Sequence, residues 1–195
     1  MRCRVGALGL VAAVLVAACG GEPRELAGYR REPAPVVADL TLPDLSNNEA
    51  SFAFRADPGQ LLVVYFGYTN CPDFCPTTLS DVRLAKQLLD NPGSVDVAMV
   101  TVDPDRDLPI LADYVGGFFD DGHALGTDDE PTLAQVAAPF GVQYLVDPTD
   151  DGEIDVAHTT ALYALDDTGT LVLTWPFGTT KDDLAADFEQ LLAER

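Results

Sequence analysis

Two cysteines four residues apart, Cys71 and Cys75, follow directly on an apolar run in the segment Tyr65-Phe66-Gly67-Tyr68-Thr69-Asn70-Cys71-Pro72-Asp73-Phe74-Cys75-Pro76. On a first helical turn this spacing puts both side chains on one face, with Cα atoms about 6 Å apart. That separation suits a disulfide or two thiolates converging on one metal ion. Orphan backbone N–H groups and the positive end of a helix favour thiolate over thiol, so lowered cysteine pKa values are expected. Pro76 fits a first helical turn, where a missing N–H costs nothing, and with Pro72 it stiffens the loop that presents the sulfurs.

Two further segments could act with the cysteines. Asp103-Pro104-Asp105-Arg106-Asp107 follows a second apolar run; Asp107 is read as a helix cap, and Asp103 with Arg106 as an ion pair shaping the cysteine loop. Asp155-Val156-Ala157-His158-Thr159-Thr160 carries His158 just ahead of a third apolar run, a place that faces the cysteine turn in thioredoxin-like folds, by fold-level analogy. The other histidine, His123, lies among turn residues and reads as a solvated loop group. Two thiolates and one imidazole form a soft set with few ligands. Structural zinc wants four closed ligands and iron–sulfur clusters want four cysteines, whereas sulfur softness favours Cu(I), and the set could also hold Cu(II).

The elements that position these groups are legible in outline. Leu61 to Gly67 reads as a buried strand, 76 to 90 as an amphipathic helix, and Val95 to Val102 as a strand parallel to the first. Helices follow over 110–119 and 131–140, then a hairpin of strands 160–165 and 170–175 around Asp166-Asp167-Thr168-Gly169, and a closing helix over 181–193. Val36 to Leu42 and Ser51 to Phe54 suggest an N-terminal hairpin. The order predicts an α/β, thioredoxin-like fold with an N-terminal hairpin extension. In such a sheet the C-terminal strand ends form the ligand edge, which would carry the cysteines and Asp103 together.

Arg2 and Arg4, the apolar stretch from Val5 to Val16 and the small residues before Cys19 look like a bacterial lipoprotein signal. The apolar stretch falls short of the roughly 20 residues a membrane-spanning helix needs. The expected division is residues 1–18 as signal, 19–35 as a lipid-anchored flexible spacer and 36–195 as the domain, held at the extracytoplasmic face of the cell membrane. Cys3 would leave with the signal and Cys19 would carry lipid, so Cys71 and Cys75 could pair only with each other. A disulfide across so short a loop would be a poor staple. With 32 acidic against 11 basic residues and a formal charge of −21, nucleic acid and anionic lipid surfaces are excluded as direct partners.

Taken together, YFGYTNCPDFCPTTL, the DPDRD loop, ALGTDDEPTLAQVAAPFGV, and DVAHTTALYALDDTGTLV followed by Phe177-Gly178-Thr179 resemble the Sco/SenC family over roughly residues 36 to 194. These are accessory proteins for assembling the copper centres of cytochrome c oxidase. The resemblance implies copper as the metal, Cys71, Cys75 and His158 as its ligands, and Asp103 and Asp107 in support of the site or of partner contact. It implies as partners an apo oxidase copper-binding subunit and a copper donor protein. The family commonly has an acidic residue before the histidine, where this chain has Ala157. Three other readings stand beside the copper chaperone. One is a thiol-disulfide reductant in which Cys71 attacks a partner disulfide and Cys75 resolves it; the usual redox motif has two intervening residues rather than three. Another is a peroxidase of the peroxiredoxin type, using Thr69 and Arg106 around one cysteine. The last is a passive binding module. Tyr68 and Phe74 could meet a partner or pack locally.

Overall fold

The computed structural model describes residues 24–149 and 154–195. The expected signal and the lipid-bearing Cys19 lie outside the described residues. In chain order the elements are β1 (Thr41–Asp44), β2 (Ala50–Ala53), β3 (Leu61–Gly67), α1 (Phe74–Leu88), β4 (Val95–Thr101), α2 (Pro104–Asp107), α3 (Leu111–Gly116), β5 (His123–Leu125), α4 (Glu130–Phe140), β6 (Tyr144–Pro148), β7 (Ile154–His158), β8 (Leu162–Leu165), β9 (Leu171–Trp175) and α5 (Lys181–Ala193). Seven strands form one sheet in the order β2-β1-β5-β4-β3-β8-β9, and β6 pairs with β7 in a separate two-stranded ribbon. β3, β4 and β5 run parallel, while β8 is antiparallel to β3 and β9 to β8.

β3 is buried at all seven positions, as a strand covered on both faces must be. Its alternate residues feed two cores. Leu61, Val63 and Tyr65 pack with Leu79 and Val82 of α1, Leu111 and Val115 of α3, and Leu184 and Phe188 of α5. Leu62, Val64 and Phe66 face the other way, toward Leu133, Val136 and Phe140 of α4 and the N-terminal Val37, Leu42 and Phe54. Truncating a fully buried aromatic such as Phe66 in such a core costs about 3–5 kcal/mol. The result is the three-layer α/β architecture of thioredoxin-like proteins, and it fixes the C-terminal ends of β3 and β4 side by side, with Gly67 opposite Thr101.

Several expectations need correction. The N-terminal hairpin is present, but its first strand is Thr41–Asp44, and Val36 instead forms an isolated bridge with Thr170. The helix expected over 110–119 is confined to Leu111–Gly116. Residues 24–35 are not a free spacer. Tyr29 pairs with Thr174 of β9, while the N–H groups of Ala27 and Gly28 donate to the buried Asp187, which also pairs with Arg24. This strap closes the open edge of β9 through polar backbone groups, which leave no hydrophobic period to read in the sequence.

Candidate metal centre

Gly67 ends β3 and sets the position of the cysteine loop. A Cβ built there would stand 2.6 Å from the Tyr65 ring and 3.1 Å from the Cys75 sulfur, so only glycine lets that sulfur settle against the strand end. The loop then enters α1, with Cys75 in its first turn and fully buried, whereas Cys71 retains 6% exposure. Both are free thiols. The backbone N–H of Cys75 donates to the Cys71 sulfur at 3.3 Å, so an orphan donor of the helix terminus serves the first cysteine. The Cys75 sulfur receives the hydroxyl of Tyr65 at 3.4 Å. Tyr65 shares its strand face with Leu61 and Val63 and is itself fully buried.

His158 reaches the sulfurs from the separate ribbon. β7 ends on it, and the next residue is held by the Thr159 N–H to the Gln143 carbonyl at 2.9 Å and by the Gln143 N–H to the Thr159 hydroxyl at 3.1 Å. His158 Nδ1 lies 3.0 Å from the Thr159 carbonyl and can only donate to it, which leaves Nε2 as the acceptor facing the Cys75 thiol at 3.8 Å. Tyr65 and Tyr68 meet the imidazole edge to face, with ring centroids at 6.2 and 5.7 Å. The backbone carbonyl of Thr159 therefore orients the ring in a chain that has Ala157 as the preceding residue.

The acidic loop after β4 positions the cysteine loop. Asp107, expected as a helix cap, caps nothing. It is completely buried and accepts from the Thr69 N–H at 3.0 Å, the Thr69 hydroxyl at 2.6 Å and the Thr101 hydroxyl at 2.6 Å. Its carboxylate would stand unsatisfied at a short helix end, whereas three converging donors compensate its burial. Asp103 pairs with Arg106 as the sequence suggests, and its N–H donates to Thr101. Burial raises the Asp103 carboxyl above its ordinary range, against the pull of Arg106.

Electrostatics at the site run opposite to the expectation for a helix terminus. Burial pushes the Cys75 thiol up to about 12, with the Tyr65 hydrogen bond opposing. Desolvation of a fully covered sulfur outweighs the helix dipole. Tyr68 is raised to about 12 by burial and then by Cys71. Burial lowers His158, while its backbone partner acts the other way, so the imidazole is neutral near pH 7 and ready to donate a lone pair. Among the described residues no three His, Cys, Asp or Glu side chains already form a closed metal cage; Cys75 and His158 are brought together, while Cys71 lies in the loop ahead of α1 rather than on a shared helical turn, its sulfur held by the Cys75 N–H. His123 is not a solvated loop group. It sits in β5 with Nδ1 2.7 Å from Asp44 and its ring on Phe52, because Asp44 of β1 is buried and needs a partner. Tyr65 and the ribbon that delivers His158 go unread in the sequence, and Thr69, set beside a reactive cysteine in the peroxidase alternative, gives both its hydroxyl and its N–H to Asp107. The one available signal was a hydroxyl-bearing tyrosine in an otherwise apolar strand, in phase with the α1 face.

The SCO1/SenC family model matches residues 31–193. A mitochondrial SCO2 homolog of Bos taurus is 38% identical over 117 residues, covering 57% of this chain and 43% of that protein; the chain thus spans less than half of that relative's length. Apo Sco1 of Thermus thermophilus superposes with a TM-score of 0.73 at 27% identity, over 88% of this chain and 99% of that one. ScoI of Bradyrhizobium japonicum, solved with copper bound, gives 0.66 at 27% identity, over 77% and 96%.

Proposed function

The chain belongs to the SCO1/SenC family, and from that premise we propose that it carries copper for the assembly of cytochrome c oxidase. Cys71, Cys75 and His158 hold the ion, and the apo copper-binding subunit of the oxidase takes it by ligand exchange. The observation that carries this reading is the unprotonated Nε2 of a neutral His158 facing the Cys75 sulfur across 3.8 Å. Copper is cargo here. Loading displaces the thiol protons of both cysteines, and release to the recipient's ligands returns them. Asp107, through Thr69, holds the loop in place so that Cys71 need only turn toward the other two ligands, and Asp103 with Arg106 braces the same loop. A preformed pair with the remaining sulfur held by one N–H donor suits an ion that must leave again.

A lipid anchor on Cys19 after removal of residues 1–18 would keep the domain at the extracytoplasmic face, as the leader predicts; among the described residues no helix is long and apolar enough to cross a membrane. The rival reading, a thiol-disulfide reductant, draws on the unequal cysteines: both are buried, but Cys71 keeps 6% exposure and is served by the Cys75 N–H, while Cys75 is sealed. An anaerobic copper titration of the reduced protein separates the two. One tightly held copper per chain, lost in Cys71→Ser and His158→Ala, is the expected result. No retained copper, together with fast reduction of a test disulfide, would overturn the copper reading.

A further inference from the structure

The β6–β7 ribbon stands outside the main sheet, and an isolated two-stranded hairpin is only marginally stable in water. It nevertheless exposes large apolar side chains, with Leu145 at 57%, Ile154 at 37% and Val146 at 36% exposure. Beside it runs a groove of about 430 Å³, lined by Leu145 and Val146 on one side and by Asp105, Asp128 and Glu130 on the other, with Asp103 buried behind them and paired with Arg106. The two strands carry Asp147 and Asp155 and no lysine or arginine. An apolar floor with a rim of one charge sign specifies its occupant by complementarity.

We propose that this ribbon and groove form the docking surface for a protein segment in which lysine or arginine side chains flank an apolar centre, and, resting on the copper-delivery reading, that the segment belongs to the copper recipient. The location supports it. The ribbon ends on His158, and the opposite wall of the groove is the Asp103 loop that braces the cysteines, so an occupant touches both supports of the candidate centre at once. A second copy of the chain would bring like carboxylates together, and an anionic bilayer would be repelled in the same way.

The test is a titration of the isotope-labelled, reduced, copper-free protein, followed by amide NMR, with three short peptides: alternating lysine and valine, alternating lysine and serine, and alternating glutamate and valine. The expected result is that the lysine–valine peptide binds at least tenfold more tightly than the other two, with shifts confined to 144–158 and to the 102–105 and 128–130 loops. Leu145→Ser and the double variant Asp105→Asn with Asp128→Asn should each weaken it at least fivefold, and only the double variant should lessen its salt dependence. Equal binding of the lysine–serine peptide, shifts on another face, indifference to both variants, or self-association in place of peptide binding would each overturn the proposal. Copper loading measured on the same variants is a separate readout. A protein that takes the peptide and no copper keeps its docking surface while the copper reading falls; one that loads copper and ignores the peptide does the reverse.

Discussion

Asp107 holds Thr69 twice, accepting from its N–H at 3.0 Å and from its hydroxyl at 2.6 Å, although 38 residues separate the two in the chain. Thr69 lies just ahead of Cys71, and the same carboxylate takes the Thr101 hydroxyl at the end of β4. The cysteine loop is thereby fastened to the neighbouring strand through one buried anion.

Asp107→Ala should therefore destabilise the protein by about 2–4 kcal/mol, because three polar groups lose their partner in a closed site. Asp107→Asn, which keeps an acceptor oxygen, should cost about half as much. Urea unfolding of the reduced protein measures both. Copper retention should weaken in the same order, since a loosened Thr69 frees the loop that carries Cys71. An Ala variant as stable as the parent would remove the role given to this carboxylate.

The Cys75 thiol sets a pH dependence with a definite sign. Burial raises it from 9.0 to about 12, so between those values the unfolded chain has lost this proton while the folded chain keeps it. Stability is undiminished below pH 9 and falls as pH rises, by about 1.4 kcal/mol per unit within the window. Alkylation of Cys75 in the folded, reduced protein should be slow at pH 8 and accelerate about tenfold per pH unit up to pH 11, since the thiolate is the reactive form. Mass spectrometry of the peptide containing Cys75 follows it directly. A rate that levels off near pH 9 would mean that the sulfur is not desolvated as described.

What the sequence disclosed divides along a physical line. The continuously apolar β3 and β4 and the amphipathic α1 were legible because burial imposes composition and period, whereas the shared helical turn expected for the two cysteines is not formed, because α1 starts at Phe74 and leaves Cys71 in the loop. Asp107 was misread because a carboxylate near a helix start looks the same whether it caps or is buried; only the donors Thr69 and Thr101, brought in by the β3–β4 pairing, decide. His123 was misread for the same reason, its partner Asp44 being 79 residues away. The β6–β7 ribbon is short, and only Tyr144, Val156 and His158 of its covered face are partly buried, so five residues per strand carry too little alternation to detect.

Removing residues 24–35 tests the strap. Buried Asp187 accepts from the Ala27 and Gly28 N–H groups and from Trp175 Nε1 at 2.8 Å, and pairs with Arg24. A chain starting at Val36 leaves that carboxylate with the indole alone and uncovers the β9 edge. The expected cost is about 3–5 kcal/mol, the penalty for orphaning a buried charge, with increased aggregation from the open edge. Unchanged urea unfolding would return the segment to the status of a spacer.

Tyr65→Phe isolates the hydroxyl that meets the Cys75 sulfur. The ring keeps its volume within the core and its edge contact with His158, so the fold should hold, and the change is one hydrogen bond at 3.4 Å. That bond favours the thiolate, opposing the burial that raises the thiol. Without it Cys75 is a weaker acid and a more electron-rich sulfur. A neutral hydrogen bond contributes about 0.5–1.5 kcal/mol, so alkylation of Cys75 at fixed pH should slow roughly two- to tenfold. In the Cu(II)-loaded protein the sulfur-to-copper absorption should move to longer wavelength, because a sulfur relieved of a donor gives up its electrons more readily. These two readouts move in opposite senses for one cause, slower chemistry as a free thiol and stronger donation as a ligand, a pairing that general loosening of the core would not produce. Faster alkylation, or an unmoved absorption band, would show that Tyr65 packs beside Cys75 without tuning it.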